Sequence, residues 1–138
     1  MSAENVELVR EGLEAFNQRD IDWVIAHTTP DCEWYPAVAA GVEGKPFRGH
    51  AGMREFFAGL EEVWEEFQLE SEEVHDLGDH VLFLGRVHAT GASGAMFEQA
   101  LDGIWEMRDG KIARGRSYLD REQALKAAAE LAGGEVRQ

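Results

Sequence analysis

The sequence predicts a single α+β domain in which a curved antiparallel sheet folds around an apolar pocket of ligand size. Three observations lead there. Apolar residues recur at helical spacing through the first half of the chain, then at every second position from about residue 68 onward. Gly78-Asp79, Gly91 to Gly94 and Asp109-Gly110 cut that second half into runs of strand length. A last helical run closes the chain, and this order argues for helices packed on one face of the sheet.

Residues 4–18 set Val6, Val9, Leu13 and Phe16 on one helical face, with Glu4, Glu7, Arg10, Glu11 and Glu14 toward water. Asn17-Gln18-Arg19-Asp20 breaks this helix, and Asp20 caps a short second one carrying Ile21, Val24 and Ile25. Thr28-Thr29-Pro30-Asp31 stops it. Residues 32–36 suit a short strand, with Cys32 and Trp34 on one face and Glu33 and Tyr35 on the other. Gly41, Gly44, Pro46 and Gly49 mark a loop.

A third helix is expected from about His50 to Phe67, with Met53, Phe56, Phe57, Leu60, Val63 and Trp64 as its apolar stripe. Four strands follow near 68–77, 80–90, 96–108 and 111–119. A helix from Arg121 to Leu131 ends the fold, with Asp120 as its cap and Gly133-Gly134 as its stop.

Along 96–108, Phe97, Gln99, Leu101, Gly103, Trp105 and Met107 share one face, which is the more apolar and should look toward the helices. Asp102 and Ile104 fall on the other face. Strand 80–90 is partly apolar on both faces, so a partner subunit is expected on the outer one. The expected homodimer contact uses Leu82, Leu84, Ile104 and Tyr118. Gly85, Gly103, Gly115 and Ser117 gather small side chains on the inner face, compatible with a cavity or with a sharp bend.

Length and composition narrow the classes of function. The 138 residues suit one domain, with a core of about 4–131. The 27 acidic residues outnumber the 13 basic ones, giving a net charge of −14, and no basic stripe is present to meet nucleic acid. No run approaches the ~20 apolar residues of a membrane span, and no signal peptide opens the chain. A lone cysteine, Cys32, excludes an intrachain disulfide, so a reducing, cytoplasmic setting is expected. His27, His50, His75, His80 and His88 lack metal-ligand spacing, and residues 41–46 do not form a phosphate loop. Neither a metal nor another cofactor is expected.

Several segments together resemble the SnoaL-like branch of the nuclear transport factor 2-like superfamily, which includes ketosteroid isomerases. They are Ala15-Phe16-Asn17-Gln18-Arg19-Asp20-Ile21-Asp22, Pro30-Asp31-Cys32-Glu33-Trp34, residues 47–57 from Phe47-Arg48-Gly49-His50 to Phe56-Phe57, Trp105-Glu106-Met107-Arg108-Asp109-Gly110-Lys111-Ile112, and residues 118–125. The resemblance implies a conical barrel: a strongly curved, mostly antiparallel sheet wrapped around three N-terminal helices, with a C-terminal helix, usually in a homodimer. Members include isomerases, polyketide cyclases, hydratases and proteins without catalysis, so fold alone does not name the activity. An isomerase of this family uses an Asp base and a Tyr plus protonated Asp oxyanion hole. Mapped onto this chain, the base falls at Tyr35 or Pro36, the acid at Gly103 or neighbouring Asp102, and the tyrosine near Gly12. That catalytic set is absent, as is the histidine that relatives often carry at the Gly103 position.

The candidate pocket residues are therefore Trp34, Phe57, Phe83, Gln99, Leu101, Gly103, Trp105 and Ser117. The aromatic ones offer contact area to a flat or lipophilic ligand, or simply fill the core. Gln99, the one polar side chain on its apolar face, needs a partner, which a backbone group, water or a ligand can supply. Tyr35 and Asp102 are the acid–base candidates, although alternation turns both outward. The expected ligand is a small apolar organic molecule. Its fate separates three roles: isomerase, cyclase or hydratase chemistry, binding without turnover, or a dimerising scaffold whose cavity its own side chains fill.

Overall fold

Helical spacing of the apolar residues builds α1 (Ser2–Asn17), and Val9 at its centre is 2% exposed. Asp20 then caps α2 (Ile21–Ala26), its Oδ1 accepting the Trp23 N–H at 3.1 Å. The computed structural model describes residues 2–37 and 46–133. The expected loop glycines Gly41 and Gly44 and the stop residue Gly134 lie outside that range. Next come β1 (Thr28–Tyr35), β2 (Phe47–Arg48) and α3 (Gly49–Val63). The second half supplies β3 (Trp64–Asp76), β4 (His80–Gly91), β5 (Met96–Ala100), β6 (Asp102–Arg108), β7 (Lys111–Tyr118) and α4 (Arg121–Gly133).

Among the described residues, the strands form one strongly curved, open sheet in the order β2-β1-β7-β6-β4-β3, with β5 also on β4. All pairings are antiparallel except β1 with β7. Helices α1 and α3 pack against the sheet, α2 bridges them, and their side of the sheet holds the largest apolar cluster, around Phe56, Leu60, Phe67 and Val87. The α+β class and the curved, mostly antiparallel sheet over three helices are as expected.

Three boundaries differ from the sequence reading. The residues expected to stop α2, Thr28 to Asp31, are already strand, since β1 begins at Thr28. Helix α3 ends at Val63, which is 47% exposed, and Trp64 to Phe67 are strand. A β-bulge between Trp64 and Glu66 explains the misreading. The extra residue lets Trp64 and Phe67 both pack on the core cluster three positions apart, which imitates helical spacing. The strand expected over 96–108 is broken at Leu101 into β5 and β6. The register against β4 nevertheless continues across the break, and Leu101 still donates its N–H to the Gly85 carbonyl at 2.9 Å.

Helix α4 occupies the sheet face opposite α1–α3, so helices cover both faces. Leu82, Leu84 and Ile104, the expected contacts with a second copy, are buried beneath α4 beside Ala128, with half-buried Tyr118 packed on the same cluster. Within one chain, α4 therefore covers Leu82, Leu84 and Ile104, three of the four residues expected at a homodimer contact.

The tetrapeptide Asn17 to Asp20 does more than end a helix. Asn17 pairs with the edge strand β3 as a neighbouring strand would: its Nδ2 donates to the Leu69 carbonyl at 2.9 Å and its Oδ1 accepts the Leu69 N–H at 2.8 Å. Arg19 donates to the Phe67 carbonyl at 2.8 Å. Edge groups left free would invite another chain to pair. No helix among the described residues is long and apolar enough to cross a membrane.

Candidate functional site

Between the three N-terminal helices and the concave side of the sheet lies a cavity of about 110 Å³. Trp34, Phe57, Phe83, Leu101, Gly103, Trp105 and Ser117 line it, which brings seven of the eight sequence candidates together. Gln99 is the exception. It lies on the inner face of β5 opposite Val87 but is half-buried, has no side-chain hydrogen bond among the described residues, and is not one of the lining residues. Helical residues that read only as core also line it: Val9, Leu13 and Phe16 from α1, Val24 from α2, Met53 and Phe56 from α3; Trp23 of α2, which the sequence reading did not single out, joins them. A helix stripe carries no mark that separates pocket from core.

Register explains the floor. Trp34 of β1 and Trp105 of β6 both stand opposite Gly115 of β7, so three inward positions form a row. The two indoles lean over the glycine and stack. A Cβ on Gly115 would lie 2.3 Å from two ring carbons of Trp105 and 3.0 Å from Trp34. Gly85 is equally constrained, since its Cβ would meet the Phe83 ring and the Glu70 carbonyl at 2.3 Å. These two glycines seat aromatic rings, which is a third reading beside the cavity or bend inferred from their size. Gly103 differs: its Cβ would have only ordinary contacts, at 3.5 Å, with the pyrrole edge of Trp105.

The polar groups of the wall are mostly spoken for. Thr28 donates its hydroxyl to the Val24 carbonyl at 2.8 Å, and the Ser117 hydroxyl accepts the Ala37 N–H at 2.6 Å. Burial pushes the Cys32 thiol up from its ordinary pKa, and it is 3% exposed, an inert position. The indole nitrogens of Trp34 and Trp105 are buried and have no hydrogen-bond partner among the described residues. A buried donor in that state costs roughly 1–3 kcal/mol.

Of the two acid–base candidates, Tyr35 does not line the cavity, whereas Asp102 is among its lining residues, as is Glu33. Tyr35 turns to the outer surface, donating its hydroxyl to Glu33 at 3.1 Å beneath the Arg116 guanidinium, 4.3 Å from the ring centroid. Tyr35 is also the first cause that lowers the Glu33 pKa, followed by Arg48 and Arg114 once burial is offset. Asp102 turns away from the helices, as alternation requires, but the side it enters is buried under α4, and Asp102 is 1% exposed. There it pairs with Arg121 at 2.9 Å and accepts the Gly85 N–H at 3.2 Å. Asp102 is the chief cause raising the Arg121 pKa above its ordinary value. A buried carboxylate so engaged anchors the start of α4. Among the described residues, no group of three or more His, Cys, Asp or Glu side chains could hold a metal ion.

Solved structures share this architecture. An NTF2-like protein of unknown function from Burkholderia pseudomallei K96243 superposes with a TM-score of 0.77, covering 89% of this chain and 95% of its own at 23% identity. TerC, crystallised with polyporic acid, gives 0.76 over 91% of this chain and 98% of its own at 28% identity. IdmH from Streptomyces antibioticus, a candidate polyketide cyclase, gives 0.70 over 87% and 94% at 20% identity. No curated protein matches the sequence. The SnoaL-like domain pattern matches residues 9–115, and the chain belongs to that family.

Proposed function

We propose that this SnoaL-like domain binds a small, largely apolar organic molecule in the cavity beneath α1–α3, and that it does so without acid–base turnover. One observation carries the reading. The wall is predominantly aromatic and aliphatic, and its two carboxylate residues, Glu33 and Asp102, are engaged by Tyr35, Arg48 and Arg114 and by Arg121 respectively. Apolar walls with few polar groups are the usual form of small-molecule sites.

At about 110 Å³ the cavity is smaller than the roughly 150 Å³ apolar cavity that holds benzene, so a single-ring ligand has to displace side chains of the wall as it enters. The space left by the Trp34–Trp105 stack argues against a scaffold whose interior is filled. TerC, co-crystallised with polyporic acid, supports an organic ligand at 28% identity.

Native mass spectrometry of the purified protein tests the proposal, together with thermal unfolding in the presence of single-ring aromatic compounds. A carried small molecule, or an unfolding midpoint that rises with compound concentration, is the expected result. No carried molecule and no shift at saturating compound would overturn it. Consumption of a bound compound by the wild-type protein would replace binding with catalysis.

A further inference from the structure

We infer that Trp23 is the gate of the cavity: its indole swings off Gly12 to admit a single flat apolar ring, which takes the place it leaves. The inference rests on the ligand-binding reading above and adds which wall residue yields and what size of ring it admits.

The wall is unevenly held. Phe67, Phe16, Phe57, Phe56, Trp34 and Trp105 touch ring to ring in one unbroken chain, so none turns without disturbing a neighbour. Phe83 stands outside that chain but is 2% exposed, on a strand flanked by β3 and β6. Trp23 is half-buried. Its one ring contact among the described residues is the stack on His27, at the C-terminal end of the same six-residue helix.

Both supports of this indole stay in place when it moves. Gly12 of α1 leaves room for its far edge: a Cβ there would lie 3.4 Å from Cζ3 and 3.5 Å from Cη2 of Trp23. Glycine weakens a helix interior relative to alanine, and here it provides a seat. Against one face of the indole lies the His27 imidazole, with centroids 3.9 Å apart and planes 16° apart. A carbonyl only accepts, so the His27 Nδ1, 2.7 Å from the Trp23 carbonyl, carries the proton and donates the hydrogen bond. That bond runs to the backbone and does not depend on the Trp23 side chain. Rotating the side chain therefore gives up one stack and one seat, and leaves α2 capped by Asp20 as before. The vacated space is flat, as the indole is, and Gly12 and Trp23 both line the cavity, so it opens on the aromatic and aliphatic wall. A ligand ring that fits there makes dominant a pocket that the closed wall holds shut.

Cys32 allows a test without any ligand. It is the chain's one cysteine, lines the cavity and is 3% exposed. Methyl methanethiosulfonate turns a thiol into its methyl disulfide and releases methanesulfinate. It should label Cys32 about tenfold faster in Trp23→Ala than in the wild type. A rate that does not change with low urea marks local opening, whereas global unfolding speeds with urea. Equal rates, or a gain carried only by the urea-dependent route, overturn the gate. Toluene titrated into the wild-type protein at constant pH gives a readout that needs no variant. The His27 Cε1–H resonance carries the ring-current shift of the stacked indole, and it should move toward that of an unstacked histidine as toluene saturates. Toluene that binds by calorimetry without moving this resonance overturns the gate and leaves the pocket intact. Toluene that does not bind overturns the ligand-binding reading, and the Cys32 rates then decide the gate by themselves.

Discussion

Trp34 and Trp105 lie face to face across Gly115, with ring centroids 4.9 Å apart and planes 12° apart. The contact joins the first strand of the sheet to the sixth through a residue that contributes no side chain. Gly115→Ala should force the Trp105 ring off its seat and lower stability by about 1–3 kcal/mol. Urea denaturation followed by tryptophan fluorescence measures this, and an unchanged midpoint would show that the stack is not held by the glycine. Gly103→Ala is the matched control and should unfold near the wild-type midpoint.

Arg121 ties the start of α4 to the sheet through Asp102, Glu72 and the Gly85 carbonyl. Arg121→Met leaves a buried carboxylate with one backbone donor. Because the Arg121 side chain is 37% exposed, water can reach the site, and the expected loss is roughly 2–4 kcal/mol, reduced from the ~3–5 kcal/mol of a fully buried broken pair. The double variant Asp102→Leu with Arg121→Met should recover part of that loss. A double variant no more stable than Arg121→Met would contradict this account.

His88 stands on the outer face between Glu98, 2.9 Å from its Nδ1, and Glu70, 2.8 Å from its Nε2. Hydrogen bonds to Glu98 first and Glu70 second raise its pKa above the ordinary value of 6.5. A folded-state pKa above the unfolded one means stability that is fully present below about pH 6.5 and lost as pH climbs through the raised value. The stability difference between the wild type and His88→Gln should therefore shrink from pH 6 to pH 8. Arg86 also influences Glu98 and should be held constant. A difference that grows with pH would reverse the assignment.

Asn17 should matter more than its place at a helix end suggests. Asn17→Ala removes both bonds to Leu69 and should cost about 1–2 kcal/mol. Hydrogen exchange at the Leu69 amide should quicken in the same variant, and an unchanged rate there would show that the side chain is dispensable.

Gln99→Leu should leave both the unfolding midpoint and the affinity for a bound aromatic compound where they are, to within about 0.5 kcal/mol. The side chain is half-buried, has no hydrogen bond among the described residues, and is not one of the residues lining the cavity.

Strand alternation made most of the pocket legible, because a period of two is hard to counterfeit over twelve residues. It placed Phe83, Leu101, Gly103 and Trp105 on one wall. It failed at Trp64, where a bulge produced helical spacing inside a strand. Asp102 shows another limit: alternation gave the direction of the side chain correctly, but which element waits on that side depends on where α4 docks. The glycines show a third limit. A sequence shows only that a side chain is missing, and whether a ring or a void takes its place is settled by strands far apart in the chain.

The position of β7 has a consequence for how the protein is made. It is the last of the described strands to be synthesised, yet it stands between β1 and β6. A nascent chain thus carries both stacking tryptophans before anything can bring them together. Pairings between such distant segments are slow to form, and the half-built sheet exposes apolar surface meanwhile. Chains released before residue 111 would keep every aromatic of the pocket and still have no floor on which to assemble it.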